Sequence, residues 1–238
     1  MADRGTKASY GLDAPAFVPI ASLCLLMVVI SAIASHRPAP LGGAAVLFVC
    51  GGFFMHTTRR GKFLVWHELL DGLSLQGGER VLDLGCGRGA VLLSAARRLK
   101  TGRAFGVDIW SRKDQSGNSP AAAQGNAKIE GVQERVSLAT ADMTALPFRS
   151  EAFDVVVSNV AIHNIRGRRR RLEAIDEAMR VLRPGGRMLI ADLRDTRAYA
   201  ARLQSLGLRD VRRRGLGWRM WWGGPWGATR VVTGTKAG

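Results

Sequence analysis

A short glycine-rich stretch that follows an apolar run carries the strongest chemical signal in the sequence. Residues 81–90 read VLDLGCGRGA, so Asp83 lies near the end of a predicted strand, and Gly85, Gly87 and Gly89 alternate before a predicted helix. Glycines permit unusual backbone angles and let a ligand approach the backbone closely. The spacing differs from the G-x-G-x-x-G of dinucleotide-binding folds, and a carboxylate here would repel a pyrophosphate. The stretch therefore favours a ligand that carries an amine or a cation.

Two further carboxylates follow at the ends of the next two predicted strands. Asp108 ends the strand RAFGVD, 19 residues after Gly89, where an acid can accept hydrogen bonds from two ribose hydroxyls. Asp142, in ADMTALPF, can accept a hydrogen bond from an exocyclic amine such as adenine N6. Because the carboxyl ends of parallel strands share one edge of a sheet, these acids together outline a site for an adenosine with a cationic amino-acid arm.

Alternating predicted strands and helices position these residues. Apolar runs predict strands at 79–84, 103–108, 135–140, 153–159 and 187–192. Helical spacing and capping residues predict helices at 62–73, 89–100, 119–131, 171–182 and 196–206, the third with Ser119 as its N-cap. This alternation indicates an α/β fold with a parallel sheet that helices cover on both faces.

Five stretches in order resemble the motifs of the class I S-adenosylmethionine-dependent methyltransferases: VLDLGCGRG, GVDIW, ADMTALPF, FDVVVSNVAIHNI and VLRPGGRMLIAD. They cover nearly all of residues 78–192, and they are most similar to the small-molecule branch that includes the ubiquinone/menaquinone biosynthesis methyltransferases. The resemblance implies S-adenosylmethionine as cofactor. It also implies a Rossmann-like, seven-stranded, mostly parallel sheet that ends in an antiparallel hairpin, here 208–220 and 229–236.

The resemblance implies a role for each motif residue. The methionine arm is expected to contact Asp83, Gly85, Cys86 and Gly87, and the ribose is expected to contact Asp108. The adenine is expected to contact Ile109, Asp142 and Met143, and the methyl sulfonium Ser158 and Asn159. Gly89 would allow the close turn. The alternative for each is a structural role at a strand end or helix N-cap.

His163 and Asn159 are the candidate catalytic residues. Methyl transfer requires a correct approach geometry, and it requires a base only if the acceptor must lose a proton. His163, four residues after Asn159, is the candidate base because imidazole titrates near neutrality. Alternatively, it caps or packs under its loop. Asn164 is a weaker candidate for positioning a substrate.

The first 60 residues predict a membrane anchor that precedes a catalytic domain at 61–238. Residues 14–35 and 38–58 contain no charged residue, and about 20 helical residues span the hydrocarbon core. We expect a hairpin of helices at about 14–35 and 39–57, whose close approach is allowed by Gly42, Gly43, Gly51 and Gly52. A cleaved signal peptide, or one span followed by a re-entrant segment, is the alternative.

The charges that flank this hairpin predict its orientation. Arg4 and Lys7 precede it and Arg59, Arg60 and Lys62 follow it, whereas Arg37 is the only basic residue of fixed charge between the helices. The positive-inside rule then places both ends, and the catalytic domain, on the cytoplasmic side.

Two further segments are expected at the rim of the site. WRMWWGGPWG (218–227) carries four tryptophans, which suit a membrane interface or an apolar acceptor pocket. Trp218 is expected in the core, and Trp66 on the helix 62–73 is expected to cover the same opening. RGRRRR (166–171) is either a solvated helix start or a contact to anionic lipid or substrate.

These features predict methyl transfer to a small, lipophilic acceptor at the cytoplasmic membrane surface. The net charge of +16 leaves a nucleic-acid methyltransferase as one alternative, although no RNA-binding module is recognisable. A non-catalytic scaffold that binds S-adenosylmethionine is the other. The three cysteines have neither metal-ligand nor disulfide spacing, so no metal is expected.

Overall fold

A computed structural model describes residues 7–36 and 39–238, and the backbone alone for residues 39–41. Arg4 and Arg37, on which the predicted orientation partly rests, lie outside the described residues. The first helices are α1 (Phe17–Ser35), α2 (Ala39–His56) and α3 (Lys62–Asp71). A π-helical turn, Thr57–Gly61, joins α2 to α3, so the helix continues across the predicted boundary at residue 60.

A seven-stranded sheet forms the centre of the catalytic part. The strands are β1 (Arg80–Leu84), β2 (Arg103–Asp108), β3 (Val136–Thr140), β4 (Phe153–Asn159), β5 (Leu182–Asp192), β6 (Leu208–Gly215) and β7 (Arg230–Lys236). Their order is β3-β2-β1-β4-β5-β7-β6, and β7 runs antiparallel to both of its neighbours. The predicted α/β Rossmann-like sheet with its terminal hairpin is confirmed.

Helices cover both faces of this sheet. The remaining helices are α4 (Ala90–Ala96), α5 (Pro120–Ile129), α6 (Arg168–Val181) and α7 (Thr196–Ser205). One core packs α3, α4 and α5 against the sheet, and the other packs α6 and α7 against the opposite face. Ser119 caps α5 as predicted, since its side chain accepts a hydrogen bond from the Ala122 N–H at 3.1 Å.

Two predicted boundaries are wrong. RPGG does not precede β5 as a separate turn. The strand already pairs at Leu182 with Phe153, shifts its register, and resumes at Arg187. The strand predicted to reach residue 220 ends at Gly215, because Leu216 and Met220 turn into the core and two short 3₁₀ turns follow.

The described part of the chain contains one helix, α1, that is long and apolar enough to cross a membrane by length and composition. Helix α2 packs against α1. The predicted role of the glycines in this packing is wrong. A Cβ added at Gly42, Gly43, Gly51 or Gly52 would meet no atom within 4 Å, so these glycines do not lie in the helix contact.

The tryptophan-rich segment docks on the end of α2. The rings of Trp221 and Trp222 lie 5.4 and 5.9 Å from those of Phe53 and Phe54, respectively. Trp218 is 53% exposed and lies against His56, so its predicted core position is wrong. The Thr57 hydroxyl also holds the segment, since it donates a hydrogen bond to the Trp221 carbonyl at 2.7 Å.

Trp66 does not cover the opening of the site as expected. It is 1% exposed and packs in the core beneath α3, together with Leu216 and Met220. Helix α3 presents Lys62 to the site instead. The apolar spacing of α3 turns Trp66 toward the sheet, which leaves the first turn of the helix to face the cavity.

A segment before α1, which we call the strap (residues 9–14), crosses the catalytic part. The N–H of Ser9 donates to Asn126, and that of Leu12 donates to the Ser116 hydroxyl at 2.7 Å. The Ala14 N–H donates to the Asp114 carbonyl at 2.8 Å. The first residues of the predicted anchor thus pack against the catalytic domain, whereas the anchor was expected only to attach that domain to the membrane.

Candidate active site

A cavity of about 510 Å³ opens at the carboxyl ends of β1, β2 and β4. Most of the predicted site residues line it: Asp83, Gly85, Cys86, Gly87, Asp108, Ile109, Asp142, Met143, Asn159, His163 and Asn164. A second set of lining residues comes from outside the motifs: Asp13, Phe17, Phe54, Lys62, Gln115 and Trp222. The fold therefore brings the motifs together and adds a wall from the strap, the first helices and the tryptophan-rich segment.

The glycine loop turns tightly beneath this cavity. Gly85, Gly87 and Gly89 have φ values of 72°, 51° and 91°, a region that favours glycine. A Cβ at Gly85 would lie 2.3 Å from the Cβ of Ala161, and one at Gly87 would lie 2.5 Å from Gln115 Oε1. Gly89 does not line the cavity but starts α4, which agrees with its predicted role in the turn.

Besides Oδ1 of Asn118, which lies beside Asp108, two buried oxygens at the floor of the cavity lack hydrogen-bond partners among the residues that the structure describes. They are Oδ1 of Asp83 and Oδ1 of Asn159. Burial, reinforced by the nearby Asp108 carboxylate, raises the pKa of Asp83 to about 7. A buried acceptor without a donor is costly, so a ligand ammonium that donates to these oxygens fits the site and would favour the ionised carboxylate.

Asp108 is held at the end of β2 with both carboxylate oxygens directed by the backbone. Oδ2 accepts from the Gly87 N–H at 2.8 Å, and Oδ1 accepts from the Trp110 N–H at 2.5 Å. Burial raises the pKa of Asp108, although these hydrogen bonds oppose the rise. The residue is 8% exposed, and Asn118 Nδ2 also donates to its Oδ1 at 3.2 Å. These three hydrogen bonds orient the carboxylate and leave one lone pair, on Oδ2, for a ligand hydroxyl.

Asp142 is more exposed and already has partners. Its Oδ1 accepts from the N–H and hydroxyl of Thr144, and its Oδ2 accepts from Arg170 at 2.8 Å. The hydrogen bonds to Thr144 and the charge of Arg170 lower the pKa of Asp142. Met143 and Ile109 line the same part of the cavity, and Ile109 is 63% exposed. This end of the cavity therefore offers a carboxylate and two apolar side chains.

Ser158 does not lie in the cavity, and its predicted place beside a methyl sulfonium is wrong. The side chain is fully buried and donates to the Leu84 carbonyl at 2.8 Å, which ties β4 to β1. Successive side chains of a strand point to opposite faces. Ser158 therefore points into the sheet packing, whereas Asn159, the next residue, lines the cavity.

His163 forms a hydrogen-bonded pair with Asp192, a residue that the sequence prediction missed. His163 Nδ1 lies 2.6 Å from Asp192 Oδ1, and the His163 N–H donates to Asp192 Oδ2 at 2.9 Å. Asp192 is fully buried at the end of β5. A strand-end acid was visible in RMLIAD, as it was at Asp83 and Asp108. The pairing fixes the orientation of the imidazole at the cavity wall.

The arginine-rich stretch divides between the two predicted roles. Arg166 and Arg170 line the cavity, and Arg171 donates to Asp195 at 2.6 Å. The side chain of Arg169 is 93% exposed. Part of the stretch therefore faces the cavity, and part is a solvated helix start; a contact to an anionic ligand stays a prediction.

A polar network that was not predicted lies where the strap meets α3. Asp13 Oδ2 accepts from Lys62 Nζ at 2.5 Å and from the Thr58 hydroxyl at 2.8 Å. Asp13 Oδ1 accepts from Gln115 Nε2 at 3.0 Å. The four residues come from distant parts of the chain and none belongs to a recognisable motif, so no local pattern indicated the network. Lys62 was expected among the charges that flank the hairpin, but it is buried.

Comparison with known proteins agrees with this arrangement. Residues 82–190 match the family model described as "Methyltransferase domain". The chain is 31% identical over 129 residues to the ubiquinone/menaquinone biosynthesis C-methyltransferase UbiE of Ruegeria sp. (strain TM1040), covering 54% of this chain and 48% of that protein. It is also 31% identical over 134 residues to the 2-phytyl-1,4-naphtoquinone methyltransferase of Trichormus variabilis, covering 56% and 55%. The chain thus spans about half the length of the curated relatives it matches.

Solved structures share the fold at low sequence identity. The geranyl diphosphate C-methyltransferase of Streptomyces coelicolor A3(2), determined with S-adenosyl-L-homocysteine, superposes with a TM-score of 0.56 at 16% identity, covering 72% of this chain and 76% of that one. The [4+2]-cyclase SpnF superposes with a TM-score of 0.57 at 20% identity, covering 72% and 80%. The family match over residues 82–190 and the shared fold thus make this part of the chain similar to a methyltransferase domain.

Proposed function

We propose that the chain transfers a methyl group from S-adenosylmethionine to a small, lipophilic acceptor at the cytoplasmic surface of a membrane. The observation that carries this proposal is the composition of this cavity. Its floor is polar and has unsatisfied acceptors at Asp83 and Asn159, whereas Phe17, Phe54 and Trp222 form an apolar part of its wall. A polar donor and an apolar acceptor can therefore meet in the same enclosed space.

The floor of the cavity is the proposed cofactor site. The unsatisfied oxygens of Asp83 and Asn159 bind the α-ammonium, and Gly85, Cys86 and Gly87 bind the rest of the methionine arm. Asp108 binds a ribose hydroxyl, while the adenine is held by Ile109, Asp142 and Met143. The bound cofactor supplies a methyl group activated by a positively charged sulfur. The protein supplies orientation and exclusion of water.

His163 is the proposed base. His163 Nδ1 lies 2.6 Å from Asp192 Oδ1, which can only accept a hydrogen bond when the carboxylate is ionised. We therefore assign the proton of a neutral imidazole to Nδ1. Nε2 is then free to accept a proton from an acceptor hydroxyl or activated carbon. The buried Asp192 stabilises the imidazolium that this transfer produces. Val160, which links Asn159 to this loop, has a φ of 52°, rare for a β-branched residue and typical of functional sites.

The apolar wall and the first helices support a lipophilic acceptor. Relatives of this domain are named for C-methylation in ubiquinone/menaquinone biosynthesis and for methylation of 2-phytyl-1,4-naphtoquinone. Ala32 is the one buried residue of helix α1, so the helix has an apolar surface that lipid could cover. We propose that residues 1–60 anchor the chain through α1 and α2 and that residues 61–238 face the cytoplasm, with Lys7, Arg59 and Arg60 at the membrane surface.

The test uses the full chain in detergent with S-adenosylmethionine that carries a tritiated methyl group. Membranes are extracted into organic solvent, cellular RNA and water-soluble metabolites are prepared separately, and each fraction is offered as acceptor. We expect label in the organic-phase product alone, and none with Asp108→Ala. Label in RNA or in the aqueous fraction would contradict the proposal. Cofactor binding without transfer to any fraction would favour a scaffold.

A further inference from the structure

Lys62 is a buried cation whose hydrogen bonds are incomplete. It is 2% exposed, and it lines the cavity at the first turn of α3. An ammonium group carries three donors, but Asp13 Oδ2 is the one acceptor that Lys62 Nζ reaches within the described part of the chain. The other cations of the lining, Lys113, Arg166 and Arg170, are exposed. The cavity therefore contains a single buried cation, among the described residues, with two donors still unused.

Asp13, the partner of Lys62, has no donor that could bind an anion when its carboxylate is ionised. Asp13 already accepts from three side chains, those of Lys62, Thr58 and Gln115. This network balances the charge of Lys62 and fixes its position. It leaves the remaining donors of the ammonium as the groups that can bind an anion.

The network lies next to the glycine loop. Gln115 donates to Asp13, and its Oε1 accepts from the Arg88 N–H at 2.7 Å. The same Oε1 would lie 2.5 Å from a Cβ at Gly87. One side chain thus separates the Asp13–Lys62 pair from the loop proposed to bind the methionine arm, so an anion bound by Lys62 would be the anionic end of that arm.

We propose that Lys62 binds the α-carboxylate of the cofactor and that Asp13 is the positioning residue that holds it there. The inference rests on the proposed cofactor site. The α-ammonium meets Asp83 and Asn159, and the α-carboxylate meets Lys62. Because Lys62 lies on the helix that continues from α2, and Asp13 lies in the strap, an occupied arm site fastens both membrane-proximal segments to the catalytic domain.

The test compares two ligands that differ in the amino-acid arm. S-adenosylhomocysteine carries the arm, whereas 5′-methylthioadenosine has the same adenine, ribose and thioether without it. Calorimetric titration of the full chain in detergent measures Kd for both. Lys62→Met should weaken S-adenosylhomocysteine roughly tenfold or more, as expected for a lost charged hydrogen bond. The Kd of the Lys62→Met variant for 5′-methylthioadenosine should stay within about twofold of that of the unmodified chain.

Lys128→Met is the matched control, because Lys128 is an exposed lysine on α5 that does not line the cavity. It should leave both affinities unchanged. Equal weakening of both ligands by Lys62→Met, or weakening of neither, would overturn the role of Lys62 while leaving the cofactor site intact. Failure of the unmodified chain to bind either ligand would overturn the proposed function itself.

Hydrogen exchange on the unmodified chain gives a second test that no folding defect can disturb. The Leu12 and Ala14 amides of the strap donate to Ser116 and to Asp114. S-adenosylhomocysteine should slow their exchange, because its carboxylate engages Lys62 and so fixes Asp13. 5′-Methylthioadenosine should not. Equal protection by both ligands, or by neither, would contradict the proposal.

Discussion

The polar floor and the apolar wall of the cavity differ in how the chain builds them. The floor comes from short motifs at the ends of neighbouring strands, such as Asp83 on β1 and Asp108 on β2. The wall comes from residues far apart in sequence, namely Phe17, Phe54 and Trp222. Local sequence therefore specifies the floor, whereas packing of separate segments creates the wall. If this division is functional, substitutions at the two places should change different kinetic constants.

The largest expected effect is at His163, where the floor and the wall meet. His163→Gln removes the proposed base but keeps a side chain that can bind Asp192. We expect kcat to fall by about 10²–10⁴-fold, the usual contribution of general base catalysis, with Kd for S-adenosylhomocysteine unchanged. Steady-state kinetics and calorimetry on the full chain measure the two quantities.

His67→Gln is the control for this substitution, because the His67 side chain is 65% exposed on α3. It should leave kcat unchanged. Asp192→Asn should lower kcat in the same direction as His163→Gln, since an amide does not select the Nδ1–H tautomer. A kcat for His163→Gln within about twofold of the unmodified chain would show that transfer needs no base here.

The next effect concerns the floor and depends on pH. Because the pKa of Asp83 is raised to about 7, the unliganded carboxyl is largely protonated at pH 6 and must lose that proton before it accepts from the ligand ammonium. Affinity for S-adenosylhomocysteine should therefore rise about tenfold from pH 6 to pH 8. Calorimetry across this range measures it, and Asp83→Asn should bind weakly with a flat profile.

The same shift predicts the pH dependence of stability. The folded carboxyl of Asp83 holds its proton up to about pH 7, whereas the unfolded one releases it near pH 4. The folded state therefore binds more protons, and the unliganded chain should lose stability as the pH rises from about 4 to about 7. Asp83→Asn should lack this loss, and thermal unfolding without ligand would show the difference. Parallel curves for the two proteins would contradict the raised pKa.

The smallest effect is expected at the wall. Trp222→Ala removes an aromatic side chain that borders the acceptor end and packs edge-on against Phe54 at 5.9 Å. KM for a lipophilic acceptor should rise by roughly tenfold, the scale of a lost apolar contact, while Kd for S-adenosylhomocysteine stays unchanged. Trp226→Ala is the control, because Trp226 is 74% exposed and does not line this cavity. If Trp222→Ala changed the acceptor KM and the Kd for S-adenosylhomocysteine equally, the floor and the wall would not have separate functions.

The sequence alone determined the elements and the floor of the site. The strands were predicted to within a few residues, except at the RPGG bulge and the end of β6, because apolar runs report burial directly. Strand-end acids and alternating glycines could be placed together because parallel strands deliver their carboxyl ends to one edge. A continuous apolar run does not show which face each side chain takes, and Ser158 was misplaced for that reason.

Only the tertiary structure decided the wall and the polar network of Asp13 and Lys62. The pairing of His163 with Asp192, of Lys62 with Asp13, and of Trp222 with Phe54 joins residues that are 29, 49 and 168 positions apart. No local sequence pattern predicts such contacts, because they depend on how the strap, the α2–α3 helix and the tryptophan-rich segment pack on the sheet. Local periodicity determined which residues face inward, and packing determined which of them meet.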